Sequence, residues 1–231
     1  MKTTAKAFLS GSLKINLRDE LEAIRSRSLA ARASPDLLWR RLCSVVATSG
    51  SSVNAEAFME EYDIALRFDL LPKTRAAREK VIFAQLMKAK IPRLRKQKAR
   101  DLSENYQKVK SLGGPVKATK IMLSLSGKSE KQKWIRGFNG VGQKYSNNIW
   151  MDICDPDFQN AIALDARVKS FAKALGFDTK SRTLSLDLLQ FASDCGLSGW
   201  ELDRLIYNFG SIILSTIKSH AARSGGLNAA L

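Results

Sequence analysis

Apolar positions recur along this chain at helical spacing and never settle into strict alternation. Leu21, Ile24 and Leu29 stand among alternating charges and predict a helix over 17–33. Ser34-Pro35-Asp36 reads as a helix start, with Ser34 as N-cap and Pro35 in the first turn. The run it opens, 37–48, is mostly apolar and predicts a central buried helix that ends at Gly50-Ser51-Ser52. Further helices are predicted over 54–68, with Phe58, Tyr62, Ala65 and Leu66 on one face, and over 74–89, 93–112, 116–125, 129–138 and 143–154. Asp165 reads as the cap of a helix reaching Leu175, with Gly176 at its C′ position. Two closing helices are predicted over 183–195 and 200–220. Residues 1–16 and the tail from Ser224 are expected to be loosely held. No segment demands a strand, so the expected class is all-α, with about ten helices and short connections.

Charge narrows the partner. Lys and Arg number 38 against 22 acids, a net +16, which points to a polyanion and first of all to nucleic acid. An anionic membrane surface is the second candidate, but no basic amphipathic helix is set apart from the globular pattern. No apolar run approaches the ~18 residues of a membrane span, and the start of the chain lacks a signal-peptide core. Cys43, Cys154 and Cys195 are widely separated and form no CxxC pair, which argues against a disulfide framework and against zinc or iron–sulfur ligation. With His220 as the only histidine, a Ser-His-Asp triad is not expected either. These features predict a reduced intracellular protein with no metal site.

The stretch 138–168 carries the candidate chemistry. It reads Phe138-Asn139-Gly140-Val141-Gly142-Gln143-Lys144, then an amphipathic run, then Leu164-Asp165-Ala166-Arg167-Val168. Gly140 and Gly142 permit a tight turn and close approach of a phosphate to the backbone. The helix that starts at Gln143 then aims its free N–H groups and positive dipole end at that phosphate. Gly140, Val141, Gly142 and Gln143 are therefore the candidate DNA-binding residues. Lys144 in the first helical turn has a plain reading as a phosphate contact. Asp165 has one as an N-cap worth about 1 kcal/mol.

The two segments together resemble the helix-hairpin-helix–Gly/Pro–Asp superfamily of DNA glycosylases, whose pattern is L-P-G-V-G-x-K-x-A followed by V-D-x-H-V. The likeness extends over about 35–220, although only the hairpin and the aspartate are specific. Asn139 stands for the usual proline, Tyr145 and Ser146 for small residues, Arg167 for the usual histidine, and Val46 for a glutamine that fills the gap left by a flipped base. The C-terminal four-cysteine cluster of endonuclease III has no counterpart. The chain therefore resembles the cluster-free 8-oxoguanine branch, including its compact archaeal and bacterial forms, and Glu201-Leu202-Asp203 adds a weak likeness to those forms.

The resemblance implies a two-lobed helical fold. One lobe would span 35–158, with the helix-hairpin-helix at about 129–154, and the other would join 1–34 to 159–231. It implies a monomeric bifunctional DNA glycosylase/AP lyase that needs no cofactor and acts on double-stranded DNA holding a damaged base. Lys144 would attack C1′ of a flipped nucleotide and Asp165 would stabilise the charge that develops on the sugar, the two meeting in the cleft. Asn148, Trp200, Tyr207 and Phe209 are the candidate base-pocket residues. An oxidised-pyrimidine glycosylase/lyase, a non-catalytic hairpin DNA clamp and an RNA-binding protein remain as alternatives.

Overall fold

Every regular element among the described residues of the computed structural model is helical; these residues are 2–10, 17–49 and 53–227. The α-helices are α1 (Lys2–Ser10), α2 (Arg18–Arg32), α3 (Leu37–Thr48), α4 (Ala55–Glu60), α5 (Arg75–Lys88), α6 (Arg95–Ser111), α7 (Pro115–Ser124), α8 (Lys128–Ile135), α9 (Gln143–Met151), α10 (Ala166–Ala174), α11 (Leu184–Asp194) and α12 (Gly199–Leu227). The chain divides into two compact units, one of residues 30–149 and one of the segments before 30 and after 149. The second division falls inside α9.

In the unit of residues 30–149, α3 is central and packs on α6 and α7, while α5 lies along α6. Eight of its twelve residues are buried, as its apolar sequence predicts. Trp39 is fully enclosed; its indole N–H donates to the Leu66 carbonyl at 2.8 Å, and Phe68 and Tyr106 meet its ring edge-on. The start of α3 differs from expectation. Its N-cap is Asp36, two residues after Ser34, and the Asp36 carboxylate caps no amide of the helix. It accepts instead from the Ser34 hydroxyl and from the Tyr62 hydroxyl, at 2.6 and 2.5 Å, so a tertiary contact has displaced the local cap. The helix predicted over 54–68 is also shorter: α4 stops at Glu60, and Tyr62–Leu66 forms a π-helical turn that keeps Tyr62 and Leu66 buried. The predicted end of α3 at Gly50-Ser51-Ser52 lies outside the described residues.

In the other unit, α1, α10 and α11 pack on the long α12. The expectation of a loose N-terminus is overturned within 2–10. These residues form α1, and its Ala5 and Leu9 are 0% and 1% exposed within the same core as Phe171, Leu188 and Ile213. Burying a leucine contributes roughly 1.5–3 kcal/mol, enough to hold a short helix whose polar sequence gives little warning of it. Lys6 also pairs with Asp194 at 3.3 Å, and Lys2 sits 3.9 Å over the Phe177 ring. The rest of 1–16, Met1 and 11–16, lies outside the described residues. At the far end α12 continues to Leu227, past the serine and glycines expected to be loose; once a helix is nucleated each added residue brings its own hydrogen bond. Residues 228–231 lie outside the described residues. No helix among the described residues is long and apolar enough to cross a membrane.

Candidate active site

The hairpin turn between α8 and α9 is held chiefly by α6. Asn105 donates from Nδ2 to the Asn139 carbonyl at 2.9 Å and accepts the Asn139 N–H at 2.8 Å on Oδ1. Lys108 reaches the Gly137 carbonyl at 2.7 Å and the Asn139 side-chain oxygen at 3.0 Å. Asn139 in turn donates from its amide to Glu104. The residue that replaces the usual proline is thus fixed by polar contacts rather than by a ring. Phe138 and Val141 are buried at either side of the turn, and Trp134 meets Phe138 edge-on.

The two glycines differ. Gly140 has φ +81°, and a Cβ there would lie 3.1 Å from Cγ2 of the buried Val46. Val46, placed by the resemblance where relatives carry a gap-filling glutamine, is a floor beneath the hairpin, 0% exposed. Gly142 is not among the positive-φ glycines, so of the two only Gly140 uses that freedom. A Cβ at Gly142 would meet no atom within 4 Å, so the outer side of the turn is open.

Lys144 is exposed in the first turn of α9, at the positive end of the helix dipole. Its Nζ lies 5.4 Å from the centre of the Tyr145 ring. The Tyr145 hydroxyl donates to the Thr48 carbonyl at 2.9 Å, and the buried Lys98 donates to the Ala47 carbonyl at 2.8 Å. Both satisfy terminal carbonyls of α3, so the first turn of α9 is tied to the end of that helix. Burial lowers the Lys98 pKa. Asn148, one turn after Lys144, is half-buried, and its Oδ1 is enclosed without a hydrogen-bond partner.

The seven cations between Lys88 and Arg100 do not form one cationic face. Lys88 pairs with Glu61 at 2.8 Å, Arg95 donates to the Ile91 carbonyl, and Lys98 is buried. Lys90, Arg93, Lys96 and Arg100 are exposed.

In the other unit Asp165 is the N-cap of α10. Its Oδ1 accepts the N–H groups of Arg167 and Val168 at 2.9 and 3.0 Å, as its place in the sequence predicts. Arg167 lies 4.3 Å over the Tyr207 ring, and Arg204 lies 5.8 Å from it. Of the aromatic candidates, Tyr207 is 52% exposed, whereas Trp200 is fully buried with its indole N–H on the Met151 carbonyl at 2.8 Å. Phe209 packs against the core of this unit.

Sequence reasoning missed the groups that hold these residues. Asp203 is 4% exposed; one of its oxygens accepts the Ala163 N–H at 2.8 Å and the other pairs with Arg204 at 2.8 Å. Arg204 also reaches Asp152 at 2.9 Å. Burial pushes the Asp203 carboxyl up, against the pull of Arg204 and the Ala163 amide, and the charge of Asp165 adds to the rise. Besides the likeness of Glu201-Leu202-Asp203 to the compact forms, the signal for Asp203 was that it interrupts the apolar face of α12. Among the described residues no group of His, Cys, Asp and Glu is placed to hold a metal ion. Cys43 and Cys195 are buried with raised thiol pKa values, Cys195 to about 11.

No family model and no curated protein sequence matches this chain. Solved structures do. The Methanocaldococcus jannaschii 8-oxoguanine glycosylase/lyase, in complex with a 15mer DNA containing 8-oxoguanine, matches with a TM-score of 0.66 at 14% identity, over 90% of this chain and 96% of its own. The Thermotoga maritima 8-oxoguanine DNA glycosylase matches with 0.62 at 14% identity, over 84% of this chain and 90% of its own. A second structure of the Methanocaldococcus jannaschii 8-oxoguanine DNA glycosylase gives 0.61 at 15% identity, over 89% and 91%. This chain shares the all-helical fold of these proteins.

Proposed function

We propose that this chain is a bifunctional DNA glycosylase/AP lyase that removes oxidised purine, chiefly 8-oxoguanine, from double-stranded DNA. The observation that carries the reading is the exposed Lys144 in the first turn of the helix that follows a clamped glycine hairpin. The fold is also that of 8-oxoguanine DNA glycosylases whose matched length covers nearly this whole chain. The net charge of +16 suits a polyanionic partner.

The chemistry follows from these side chains. The hairpin amides from Gly140 to Gln143 take a backbone phosphate and set the register of the strand without reading sequence. The damaged nucleotide must leave the stack before its C1′ can be reached. Lys144, as the neutral amine, forms the C1′–Nζ bond while the glycosidic bond breaks and the base departs with its electron pair and a proton. Opening of the sugar ring gives an iminium. Loss of a C2′ proton then expels the 3′ phosphate by β-elimination and nicks the strand. Asp165 stabilises the positive charge on the sugar and moves protons between amine, ring oxygen and base. Nothing in this sequence of steps calls for a cofactor, and one copy of the chain suffices.

Borohydride trapping tests the reading, with wild type and Lys144→Gln on duplexes holding 8-oxoguanine, thymine glycol, an abasic site or no damage. A covalent adduct with 8-oxoguanine in wild type, absent in the variant, is expected. An adduct with thymine glycol alone would move the substrate to oxidised pyrimidines. No adduct on any duplex would reduce the hairpin to a DNA clamp.

A further inference from the structure

We infer that Asp203 is the positioning residue for Asp165, acting through the peptide of Ala163. The inference rests on the role proposed above for Asp165.

Residues 161–165 form neither helix nor strand, yet Ala161, Ile162 and Ala163 are 2%, 5% and 6% exposed. Buried irregular backbone must have its polar groups satisfied from elsewhere. The start of α12 bonds this stretch at two places and lies close against it between them. The Trp200 N–H donates to the Gln159 carbonyl at 2.9 Å. Gly199 lies against Ala161 so closely that a Cβ there would sit 3.0 Å from the Ala161 oxygen and 3.1 Å from its nitrogen. Asp203 takes the Ala163 N–H at 2.8 Å. The Ala163 carbonyl then accepts the Asp165 N–H at 2.6 Å, and Asp165 opens α10. The last tertiary hold on the chain before Asp165 in this series is therefore a side chain of α12. Arg204, bridged to Asp152, fixes the other oxygen of that side chain and stops it from turning away.

A backbone N–H can be held by any well-placed acceptor. Asp203 provides a charged one in a buried place, where the hydrogen bond is stronger than a neutral one and the carboxylate is costly to bury. What the site requires of residue 203 is the position of its acceptor oxygen. The charge serves to lock that oxygen through Arg204. The variants separate these two demands. Asp203→Glu keeps the charge and moves the acceptor by one methylene. Asp203→Asn loses the charge and keeps only one acceptor oxygen for two donors, the Ala163 N–H and the Arg204 guanidinium, so its N–H2 must face one of them. Asp203→Ala removes both.

The experiment is single-turnover borohydride trapping on an abasic-site duplex, which needs no particular lesion, with half-saturating enzyme concentration and thermal midpoint measured alongside. Asp203→Glu and Asp203→Ala are expected to slow trapping by about 10- to 100-fold with little change in half-saturation, the effect of a reacting group displaced by an ångström or less. Asp203→Asn is expected to slow trapping as well, whereas the double variant Asp203→Asn with Arg204→Met, in which the one oxygen is left to the Ala163 N–H, is expected to recover to within about threefold of wild type, the rescue that a position-only requirement demands. Trapping at the wild-type rate in Asp203→Glu would overturn the inference and leave the proposed function standing. So would rate losses that follow the thermal midpoints across the variants. Should Asp203→Ala fail to fold, the Glu variant and the double variant decide. No trapping by wild type on the abasic duplex would sink the proposed function, and this inference with it.

Discussion

Asn105 holds both backbone groups of Asn139, its Nδ2 donating to the carbonyl at 2.9 Å and its Oδ1 accepting the N–H at 2.8 Å. A single side-chain amide on α6 thereby replaces the rigidity that a proline at 139 would supply. Asn105→Ala leaves both the N–H and the carbonyl of Asn139 without this partner and is expected to cost about 2–6 kcal/mol, at roughly 1–3 kcal/mol for each unmade bond. Urea unfolding monitored by circular dichroism measures it. A loss under about 0.5 kcal/mol would mean that the turn holds without this clamp.

Gly140 and Gly142 should respond in opposite ways to alanine. Gly140→Ala places a Cβ at φ +81° and 3.1 Å from Val46, so a loss of stability of about 1–2 kcal/mol or more is expected. Gly142→Ala meets open space and should leave the unfolding curve unchanged. A phosphate that approaches the turn from outside would nevertheless meet the new methyl group. Affinity for a duplex, read by fluorescence anisotropy, should therefore fall in Gly142→Ala. Wild-type affinity in that variant would place the phosphate elsewhere.

Asp165 separates cap from chemistry. Its Oδ1 accepts two amides of α10, and asparagine caps as well as aspartate. Asp165→Asn is expected to hold the thermal midpoint close to wild type while borohydride trapping falls by roughly 10²–10⁴-fold, the usual weight of a proton-transferring group. Equal trapping by the two proteins would confine Asp165 to its cap.

The exposed cations Arg93, Lys96 and Arg100 are expected to touch phosphates without reading bases. Replacing all three by glutamine should weaken binding to damaged and undamaged duplexes alike. The slope of log affinity against log salt should shrink by about 0.9 for each phosphate that the variant no longer neutralises. A slope that does not change would take these residues off the DNA surface.

Lys98 offers a pH signature. Burial lowers its pKa in the folded chain below the ordinary 10.5. The unfolded chain therefore binds more protons than the folded one in the window between the two values, so stability rises with pH there and the burial penalty is greatest below it. Lys98→Met removes that dependence. The unfolding free energy of wild type relative to Lys98→Met should increase between pH 7 and pH 10. A difference that stays flat would mean that the ammonium bears no net burial penalty.

Much of this protein is legible in its sequence alone. Helical periodicity predicts the all-α class and most element limits to within a few residues, because side chains that face one core must recur every third or fourth position. The GVG turn, the lysine that follows it and the Asp165 cap are legible because each depends on short-range backbone geometry. Gly140 must adopt a positive φ, and Asp165 must meet amides two and three residues on. Other features are decided only in three dimensions. Ala5 and Leu9 pin α1 into a core whose other members lie more than 150 residues away, and no local pattern marks that packing. Asp36 surrenders its cap because Tyr62 arrives from another helix. The bonds of Asn105 to Asn139 and of Asp203 to Ala163 join residues 34 and 40 positions apart. Such bonds depend on the packing of α6 and α12 against loops that have no period of their own, and so they leave no trace in the order of the residues.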